Sequence, residues 1–343
     1  MRKLLLPLSF VYGLGVIVRN WFFDKGIIKS KKVRVPVIAV GNLSAGGTGK
    51  TPFVELLIET GSLSRPLAVV SRGYKRTSSG TVVVSDGRGT MASVEEAGDE
   101  PLQMAKKYND LEVIVDENRV RGAEKAIELG ARMIILDDGF QHRYLDRDLN
   151  IVLLTADELL KGDMLLPAGN MREPMSALKR ADLIVITRCA DLPEYEQVCM
   201  MGWERHLLPQ ETPTVGLKTI LKAFRRLSSS EIVPADGMYN KSMVAFSGIG
   251  NPKSFEELLK KSGIKVVQHV MFLDHHWYTE NDRNEIIKAR NLAQAEFLVT
   301  TEKDAVRLKG LFDAEPVLVA EIQHGFVAGG EKFDEMLQQI HKS

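Results

Sequence analysis

The segment SAGGTGKTP, residues 44–52, carries the most specific structural signal in this chain. It follows the apolar run VRVPVIAVGN (33–42), which has the composition of a buried strand, and it leads into a helical pattern over 50–60. Glycines allow successive backbone N–H groups to turn inward around an anion. The order of strand, glycine-rich turn, Gly-Lys-Thr and helix therefore predicts a phosphate-binding loop.

The residues of this loop have separate roles in binding a nucleotide and its metal. Lys50 places a compact positive charge on the β and γ oxygens, and the Thr51 hydroxyl is a ligand for Mg²⁺. The strict pattern has glycine at the first position, where this chain has Ser44. The residues expected to contact the nucleotide form one continuous run: Ser44, Ala45, Gly46, Gly47, Thr48, Gly49, Lys50 and Thr51.

A second motif, MIILDD (133–138), ends a run of apolar residues in two aspartates. A carboxylate at the carboxyl end of a strand beside the phosphate loop completes the Mg²⁺ shell in nucleotide-binding sites. Asp137 and Asp138 are therefore predicted at a nucleotide–magnesium site, one as a metal ligand and the other orienting water or a second group. Which of the two binds the metal stays open.

Composition and charge limit the classes of function. The chain has 343 residues with 45 basic and 45 acidic side chains, so no global charge attracts nucleic acid. Residues 1–34 carry eight basic side chains and one acidic side chain, a net charge of +7, and the remainder must sum to −7. Cys189 and Cys199 suit neither a disulfide framework nor a zinc site and are expected to be reduced thiols.

The remaining pattern alternates short apolar runs with amphipathic segments, which predicts an α/β fold. We expect a P-loop NTPase-like, doubly wound, mostly parallel sheet and a second, smaller α/β domain. The predicted strands of the first domain are 35–40, 67–71, 81–85, 111–115, 132–137, 149–154 and 182–187. The predicted domains are an amino-terminal anchor (1–34), a kinase core (35–212), a linker (213–240) and a smaller α/β domain (241–343).

The first residues favour attachment to a lipid surface. The uncharged run LLLPLSFVYGLGVIV (4–18) has 15 residues, fewer than the ~20 that cross a bilayer as a helix. A signal peptide is one alternative, but no cleavage pattern follows; a helix packed on the protein's own core is another. Apolar residues, interfacial aromatics and a basic flank together predict an anchor lying in the membrane plane.

Two further sites could supply a general base for a phosphate acceptor. Asp99 opens a predicted helix, and LDHHWYT (273–279) places His275 and His276 at a strand end in the second domain. A carboxylate and an imidazole can act together, the carboxylate fixing the tautomer. Taken singly, Asp99 fits a helix-capping acid and the histidines fit surface residues, and sequence spacing alone does not bring them together.

Several stretches together resemble one family, the tetraacyldisaccharide 4′-kinases of Gram-negative bacteria. The matching segments are VGNLSAGGTGKTP (40–52), SRGYKR (71–76), GDEP (98–101), DDGFQHRYLDRDL (137–149), LLPAGNMREP (165–174), DHHWYT (274–279) and TEKDAVRL (301–308). They occur in order from residue 40 to residue 308, and this ordered set is far more specific than any one motif.

The resemblance implies transfer of the ATP γ-phosphate to the 4′-hydroxyl of a tetraacyldisaccharide 1-phosphate in lipid A biosynthesis, with ATP and Mg²⁺ as cofactors. It implies that Asp99 and His275 form a catalytic dyad, with His276 less favoured. It places Arg172 and Glu173 in an active-site loop, Arg172 among the catalytic residues and Glu173 near the metal. The expected location is the cytoplasmic face of the inner membrane, bound peripherally to its lipid substrate, as a monomer.

Two other functions fit parts of the pattern. A membrane-tethered P-loop GTPase would carry an N/T-K-x-D tetrapeptide, and the nearest strings, TRCA (187–190) and TEKD (301–304), lack that order. A cytosolic small-molecule kinase would use the apolar amino terminus only as a packing helix. Nucleic-acid binding would need a basic stripe interleaved with aromatics, which the sequence lacks after residue 34.

Overall fold

The computed structural model describes residues 2–308 and 310–341. Its chain divides into two compact units. Unit 1 comprises residues 1–218 and 325–343, and unit 2 comprises residues 219–324. The strands β8 (Thr214–Arg226) and β13 (Val317–Ala328) cross the boundary between them along the chain.

Unit 1 alternates strands and helices, as the sequence predicted. Its strands are β1 (Val37–Asn42), β2 (Leu67–Ser71), β3 (Val82–Asp86), β4 (Glu112–Val115), β5 (Met133–Asp137), β6 (Leu149–Thr155), β7 (Leu183–Thr187) and the start of β8. Its helices are α1 (Leu6–Asp24), α2 (Lys50–Glu59), α3 (Val94–Ala97), α4 (Asp99–Lys107), α5 (Arg119–Leu129), α6 (Ala156–Lys161), α7 (Leu192–Glu204) and, last in the chain, α11 (Gly330–His341). Short 3₁₀ helices span Arg2–Leu5 and Met175–Arg180.

The strands of unit 1 lie in the order β8-β7-β6-β1-β5-β2-β4-β3. All neighbours are parallel except β3, which pairs antiparallel with β4 at the edge. Because β1 lies between β5 and β6, the loop after β1 opens at the carboxyl ends of three adjacent strands. Val40 of β1 pairs with Asp137 of β5, which brings the two predicted motifs to one edge of the sheet.

The central strands are buried on both faces, as a parallel sheet covered by helices requires. One face packs Val37, Leu136 and Ala123 of α5 into a core cluster. The other packs Val152, Leu154 and residues of α6 and α7 into a second cluster, which includes the free, buried cysteines Cys189 and Cys199. The fold class predicted from the sequence is confirmed.

Unit 2 is a smaller α/β structure, again as predicted. Its elements are β9 (Ile232–Pro234), β10 (Ser242–Ser247), α8 (Pro252–Lys261), β11 (Lys265–Met271), α9 (Glu280–Leu292), β12 (Phe297–Thr301) and α10 (Glu302–Ala305), with the unit 2 portions of β8 and β13 and a 3₁₀ turn over Asp236–Met238. The strand order is β11-β10-β12-β13-β8, and β9 pairs antiparallel with β8. Strands β10, β11, β12 and β13 run parallel.

The units differ from the predicted domain limits in two places. The stretch predicted as a linker, 213–240, contains β8 and β9, which are paired strands. Residues 325–343, predicted in the second domain, group with unit 1. There the ring of Phe333 on α11 packs edge-on against Phe53 of α2, with centroids 5.8 Å apart.

Helix α1 is the one helix in the described part of the chain that is long and apolar enough to cross a membrane by length and composition alone. Only three residues of α1, namely Ser9, Gly13 and Phe23, are buried. Most of its large apolar side chains other than Phe23 are exposed: Leu8 is 58% exposed, Phe10 76% and Ile17 55%.

Candidate active site

The loop between β1 and α2 is shaped by the side chain of Asn42, the last residue of β1. Asn42 Nδ2 donates to the Gly46 carbonyl at 3.3 Å and to Thr48 Oγ1 at 3.1 Å. Gly49 then adopts φ 87°, a left-handed conformation that favours glycine, and α2 begins at Lys50. The loop thus opens onto a helix amino terminus, which is a ready-made site for a phosphate group.

Residues from outside the loop hold its backbone in place. Thr187 Oγ1, at the end of β7, donates to the Thr48 carbonyl at 2.8 Å. The guanidinium of Arg188 donates to the Gly47 carbonyl. On the other side, the Ala45 N–H donates to the Asn170 carbonyl at 2.7 Å, which ties the loop to the segment before Arg172.

Lys50, Asp138 and Arg172 form an ion cluster beside the loop. Lys50 Nζ lies 3.3 Å from Asp138 Oδ1, and Arg172 NH1 lies 2.8 Å from Asp138 Oδ2. Burial disfavours the charged form of Asp138, but the charges of Lys50 and Arg172 outweigh it and lower its pKa to about 2. The structure therefore brings together three residues that the sequence singled out separately.

Asp137 is the residue whose surroundings suit a metal ion. Its Oδ1 atom is buried and accepts no hydrogen bond from any described residue. Burial, together with the charges of Glu100 and Asp138, raises its pKa to about 7, and a cation bound beside it would favour the ionised form. Among the described residues, no three His, Cys, Asp or Glu side chains form a group that could hold a metal ion. Mg²⁺ is commonly held by one or two carboxylates together with substrate phosphates, and Asp137 and Asp138 are two adjacent carboxylates.

Two residues of this region, Arg119 and His142, were not predicted as site residues. Arg119, at the start of α5, is buried. Burial and the charge of Arg72 lower its pKa, and the opposing effect of Asp138 is too small to reverse this shift. Burial and the charges of Arg119 and Arg147 lower the pKa of His142 to about 4, so its ring is neutral at pH 7. The positive charges of Arg119 and Arg72 near the aspartate pair suit a phosphate-rich ligand. Arg72 and His142 belong to the motifs SRGYKR and DDGFQHRYLDRDL, but spacing alone assigned them no role, and Arg119 lies outside every motif.

Glu173, predicted near the metal, lies among basic side chains. Glu173 Oε2 accepts hydrogen bonds from Arg180 NH2 at 2.8 Å and from Asn20 Nδ2 at 2.7 Å, and Oε1 lies 3.6 Å from Arg19 NH2. Both Arg19 and Asn20 belong to α1. This carboxylate therefore ties α1 to the active-site loop, and its role as a metal ligand stays a prediction.

Asp99, the predicted dyad carboxylate, is the first residue of α4 and is buried in unit 1. Gly98 before it has φ 87°, and a Cβ atom there would lie 2.9 Å from the Tyr74 carbonyl. The chain therefore turns tightly just before Asp99, which fixes where its side chain leaves the backbone.

His275, the other half of the predicted dyad, lies in unit 2, so the Asp99–His275 pairing stays a prediction. His275 has φ 64°, and its N–H donates to the Gly248 carbonyl at 3.0 Å. Its Nε2 lies 3.5 Å from Lys303 Nζ and 3.8 Å from Asp274 Oδ2.

His276, the alternative histidine, is held within its own unit. Its ring stacks on Phe272 with centroids 4.6 Å apart, and its Nε2 lies 3.0 Å from Asp282 Oδ2. Asp282 also completes the amino-terminal capping box of α9. These contacts give His276 a structural role and favour His275 for chemistry.

The buried ion pair of Arg307 and Asp304 stabilises the turn that contains His275. Arg307 is fully buried and donates to Asp304 Oδ1 at 2.7 Å, to the Gly248 carbonyl at 3.2 Å and to the His276 carbonyl at 2.9 Å. Asp304 Oδ1 also accepts from the Gly248 N–H and from the hydroxyl of Tyr278, both at 3.0 Å. Two residues of the motif TEKDAVRL, Asp304 and Arg307, thus hold the backbone on both sides of His275.

Comparison with known proteins gives a consistent assignment. The model of the LpxK family, tetraacyldisaccharide-1-P 4′-kinase, matches residues 1–342. The tetraacyldisaccharide 4′-kinase of Aquifex aeolicus is 42% identical over 316 residues, covering 90% of this chain and 91% of that protein, and that of Flavobacterium johnsoniae is 34% identical, covering 100% and 98%. A crystal structure of LpxK from Aquifex aeolicus in complex with ATP has a TM-score of 0.81 at 38% identity and covers 99% of both chains. The chain belongs to the tetraacyldisaccharide-1-P 4′-kinase family, as its ordered motifs predicted.

Proposed function

We propose that this chain, an ATP-dependent tetraacyldisaccharide 4′-kinase, holds the nucleotide phosphates in the loop 44–51. The observation that carries this assignment is the ion cluster of Lys50, Asp138 and Arg172 at the open end of the loop. Two cations that converge there on one carboxylate can instead neutralise the γ-phosphate when a nucleotide is bound.

Thr51, Asp137 and Asp138 are the residues that would hold Mg²⁺. Thr51 lies in the first turn of α2, and both aspartates lie at the carboxyl end of β5, beside the strand that precedes the loop. When bound, the metal supplies neutralisation of charge on the β and γ phosphates. Asp138, whose pKa is lowered to about 2, is ionised throughout the physiological pH range, as a metal ligand must be.

The acceptor is activated, on this proposal, by His275 with Asp99 as its orienting carboxylate. His275 Nε2 accepts the proton of the 4′-hydroxyl, and that oxygen forms a bond to the γ-phosphorus. The bond from the γ-phosphorus to the β–γ bridging oxygen breaks, and ADP leaves. Arg172 stabilises the charge that spreads over the phosphoryl oxygens.

The amino-terminal helix suits attachment to the membrane that contains the lipid acceptor. Its apolar side chains face outward, and residues 1–34 add a net charge of +7 that favours anionic lipid headgroups. Trp21 is 50% exposed and suits the headgroup region. We place the protein peripherally on the cytoplasmic face of the inner membrane, where ATP is available, acting as a monomer.

The test is transfer of label from [γ-³²P]ATP to purified tetraacyldisaccharide 1-phosphate in detergent micelles. Thin-layer chromatography should show one labelled lipid, with the phosphate placed at the 4′ position by ³¹P NMR. GTP at the same concentration should be a poor donor. Release of inorganic phosphate without a labelled lipid would contradict the assignment and favour a GTPase or ATPase switch, whereas label on a water-soluble acceptor alone would favour a small-molecule kinase.

A further inference from the structure

We propose that Tyr12 and Asn20 of α1 are positioning residues for phosphoryl transfer, because they hold Arg172 and Glu173 in place. The inference rests on the proposed function of Arg172. It makes α1 part of the catalytic apparatus as well as a lipid anchor.

On α1 most polar residues face the protein and most apolar residues face outward, which is the reverse of a helix packed on a soluble protein. The side that contacts unit 1 carries Ser9, Tyr12, Gly13, Asn20 and Phe23, at spacings that form one helical stripe. The opposite side carries the exposed apolar residues. Phe23 is the one large apolar side chain of α1 that is buried on the protein, and the other contacts of the docked side include hydrogen bonds of defined geometry.

Ser9 and Gly13, the first part of this stripe, contact the start of the active-site loop, residues 164–174. Ser9 Oγ donates to the Leu165 carbonyl at 2.9 Å and accepts from the Ala168 N–H, also at 2.9 Å. A Cβ atom at Gly13 would lie 2.7 Å from Leu165 Cδ1, so a larger residue there would displace the Leu165 side chain. The loop backbone is thereby fixed at two points before Arg172.

The second part of the stripe reaches the active-site residues themselves. The hydroxyl of Tyr12 donates to the Arg172 carbonyl at 3.0 Å. Asn20 Nδ2 donates to Glu173 Oε2 at 2.7 Å, while Arg143 NH1 donates to the Asn20 carbonyl at 3.0 Å. Two side chains, two helical turns apart on α1, therefore contact two consecutive residues of the loop.

From this loop the contacts continue into the phosphate site. The Arg172 N–H donates to the Leu43 carbonyl at 2.6 Å, and Ser44 forms an isolated antiparallel bridge with Met171. Arg172 NH1 then binds Asp138. A shift of α1 would therefore move both the arginine and the first residues of the nucleotide loop.

The size of the effect follows from the kind of contact removed. Tyr12→Phe deletes one neutral hydrogen bond, and Asn20→Ala deletes a hydrogen bond to a carboxylate. If these bonds act on the transition state, each variant should lower kcat by roughly 5- to 20-fold. Misplacement of a reacting group by a fraction of an ångström is enough for a loss of this order.

The experiment compares Tyr12→Phe and Asn20→Ala with the wild type in the full-length protein, with acceptor in detergent micelles. Tyr108→Phe is the matched control, since it removes an exposed hydrogen bond to Glu59 at 2.8 Å. We expect both test variants to lose kcat with little change in Tm or in recovery with anionic vesicles, and Tyr108→Phe to keep wild-type kcat. Asn20→Gln, which retains an amide donor, should recover part of the loss.

Hydrogen exchange of residues 164–174 gives a readout that does not depend on the reaction. Exchange should rise in both test variants and stay unchanged in Tyr108→Phe. Wild-type kcat and wild-type exchange in both variants would overturn the inference, as would losses of kcat matched by equal losses of Tm and vesicle recovery. A wild-type protein that fails to label the lipid, with exchange still raised in the variants, would count against the proposed function and leave the positioning contact standing.

Discussion

Lys50 Nζ lies 3.3 Å from Asp138 Oδ1, although the two residues are 88 positions apart in the sequence. They meet because β1 and β5 are parallel neighbours, with Val40 paired to Asp137, so that the loop after one strand and the carboxylates ending the other share an edge. The cluster therefore arises from sheet topology, and Arg172 joins it through the loop that α1 holds.

The two adjacent histidines should behave differently on substitution. His275→Ala removes the proposed base and should lower kcat by roughly 10²- to 10⁴-fold with Tm almost unchanged. His276→Ala removes the contact with Asp282 and the stack on Phe272, so it should lower Tm more than kcat. Steady-state kinetics and thermal unfolding of both variants make the comparison. If His276→Ala lost activity while His275→Ala did not, the base would be His276.

Arg307→Ala should strongly destabilise unit 2. The substitution leaves Asp304 buried without its cationic partner, and it removes donors to the Gly248 and His276 carbonyls. Breaking such a buried pair costs about 3–5 kcal/mol in the free energy of unfolding. Arg226→Ala, which breaks the more exposed pair with Glu231, is the control and should cost below about 1 kcal/mol. Urea unfolding followed by circular dichroism measures both, and equal effects would show that the buried pair has no special role.

Glu112 should make the protein less stable as pH rises. Burial on β4 and the charge of Asp86 raise its pKa in the folded state to about 7, whereas an unfolded glutamate titrates near about 4.3. Between these values the folded state holds a proton that the unfolded state has lost, so this contribution to stability falls with rising pH and levels off above pH 7.

Glu112→Gln removes the free-energy cost of ionising a buried carboxylate at this position. We expect the variant to be more stable than wild type at pH 8 by about 1–2 kcal/mol, with a smaller gain at pH 5. The measurement is the urea midpoint at both pH values, with the exposed Glu128→Gln as control. A gain that is the same at both pH values would rule out titration of Glu112 as its cause.

The outward face of α1 should govern lipid binding. Replacing Phe10 and Ile17 together by serine removes two exposed apolar side chains, each of which contributes on the order of 1.5–3 kcal/mol when fully buried. Flotation with anionic vesicles should show at least a ~10-fold loss of partitioning. Leu292→Ser, which alters an apolar residue 75% exposed on α9, is the control and should float as wild type does. Unchanged flotation of the double variant would remove α1 as the anchor.

Local sequence patterns determined most of the fold and the centre of the site. All seven strands predicted before residue 188 are present within two residues, because their apolar runs are buried on both faces. The helix α7 was not predicted, although Asp191 caps it and Pro193 occupies its first turn, because its apolar residues show little preference for one side. The return of α11 to unit 1 depends on the packing of Phe333 on Phe53, a long-range contact that no local pattern encodes.

The site residues likewise divide into those that local motifs predicted and those whose surroundings depend on long-range contacts. Lys50, Thr51 and the aspartate pair follow from local motifs and strand order. The surroundings of Glu173 do not, because Arg180 and Asn20 approach it from distant parts of the chain. The inward polar stripe of α1 was likewise hidden in a segment whose composition indicated only a lipid anchor.

The most direct measurement is single-turnover transfer from [γ-³²P]ATP to tetraacyldisaccharide 1-phosphate by wild type, Lys50→Ala and the control Lys125→Ala, at a partly exposed lysine of α5. Because we propose that Lys50 binds the γ-phosphate during transfer, we expect Lys50→Ala to be slower by roughly 10³-fold or more, and Lys125→Ala to match the wild type. Transfer by Lys50→Ala at the wild-type rate would contradict the assignment of the 44–51 loop as the site of phosphoryl transfer.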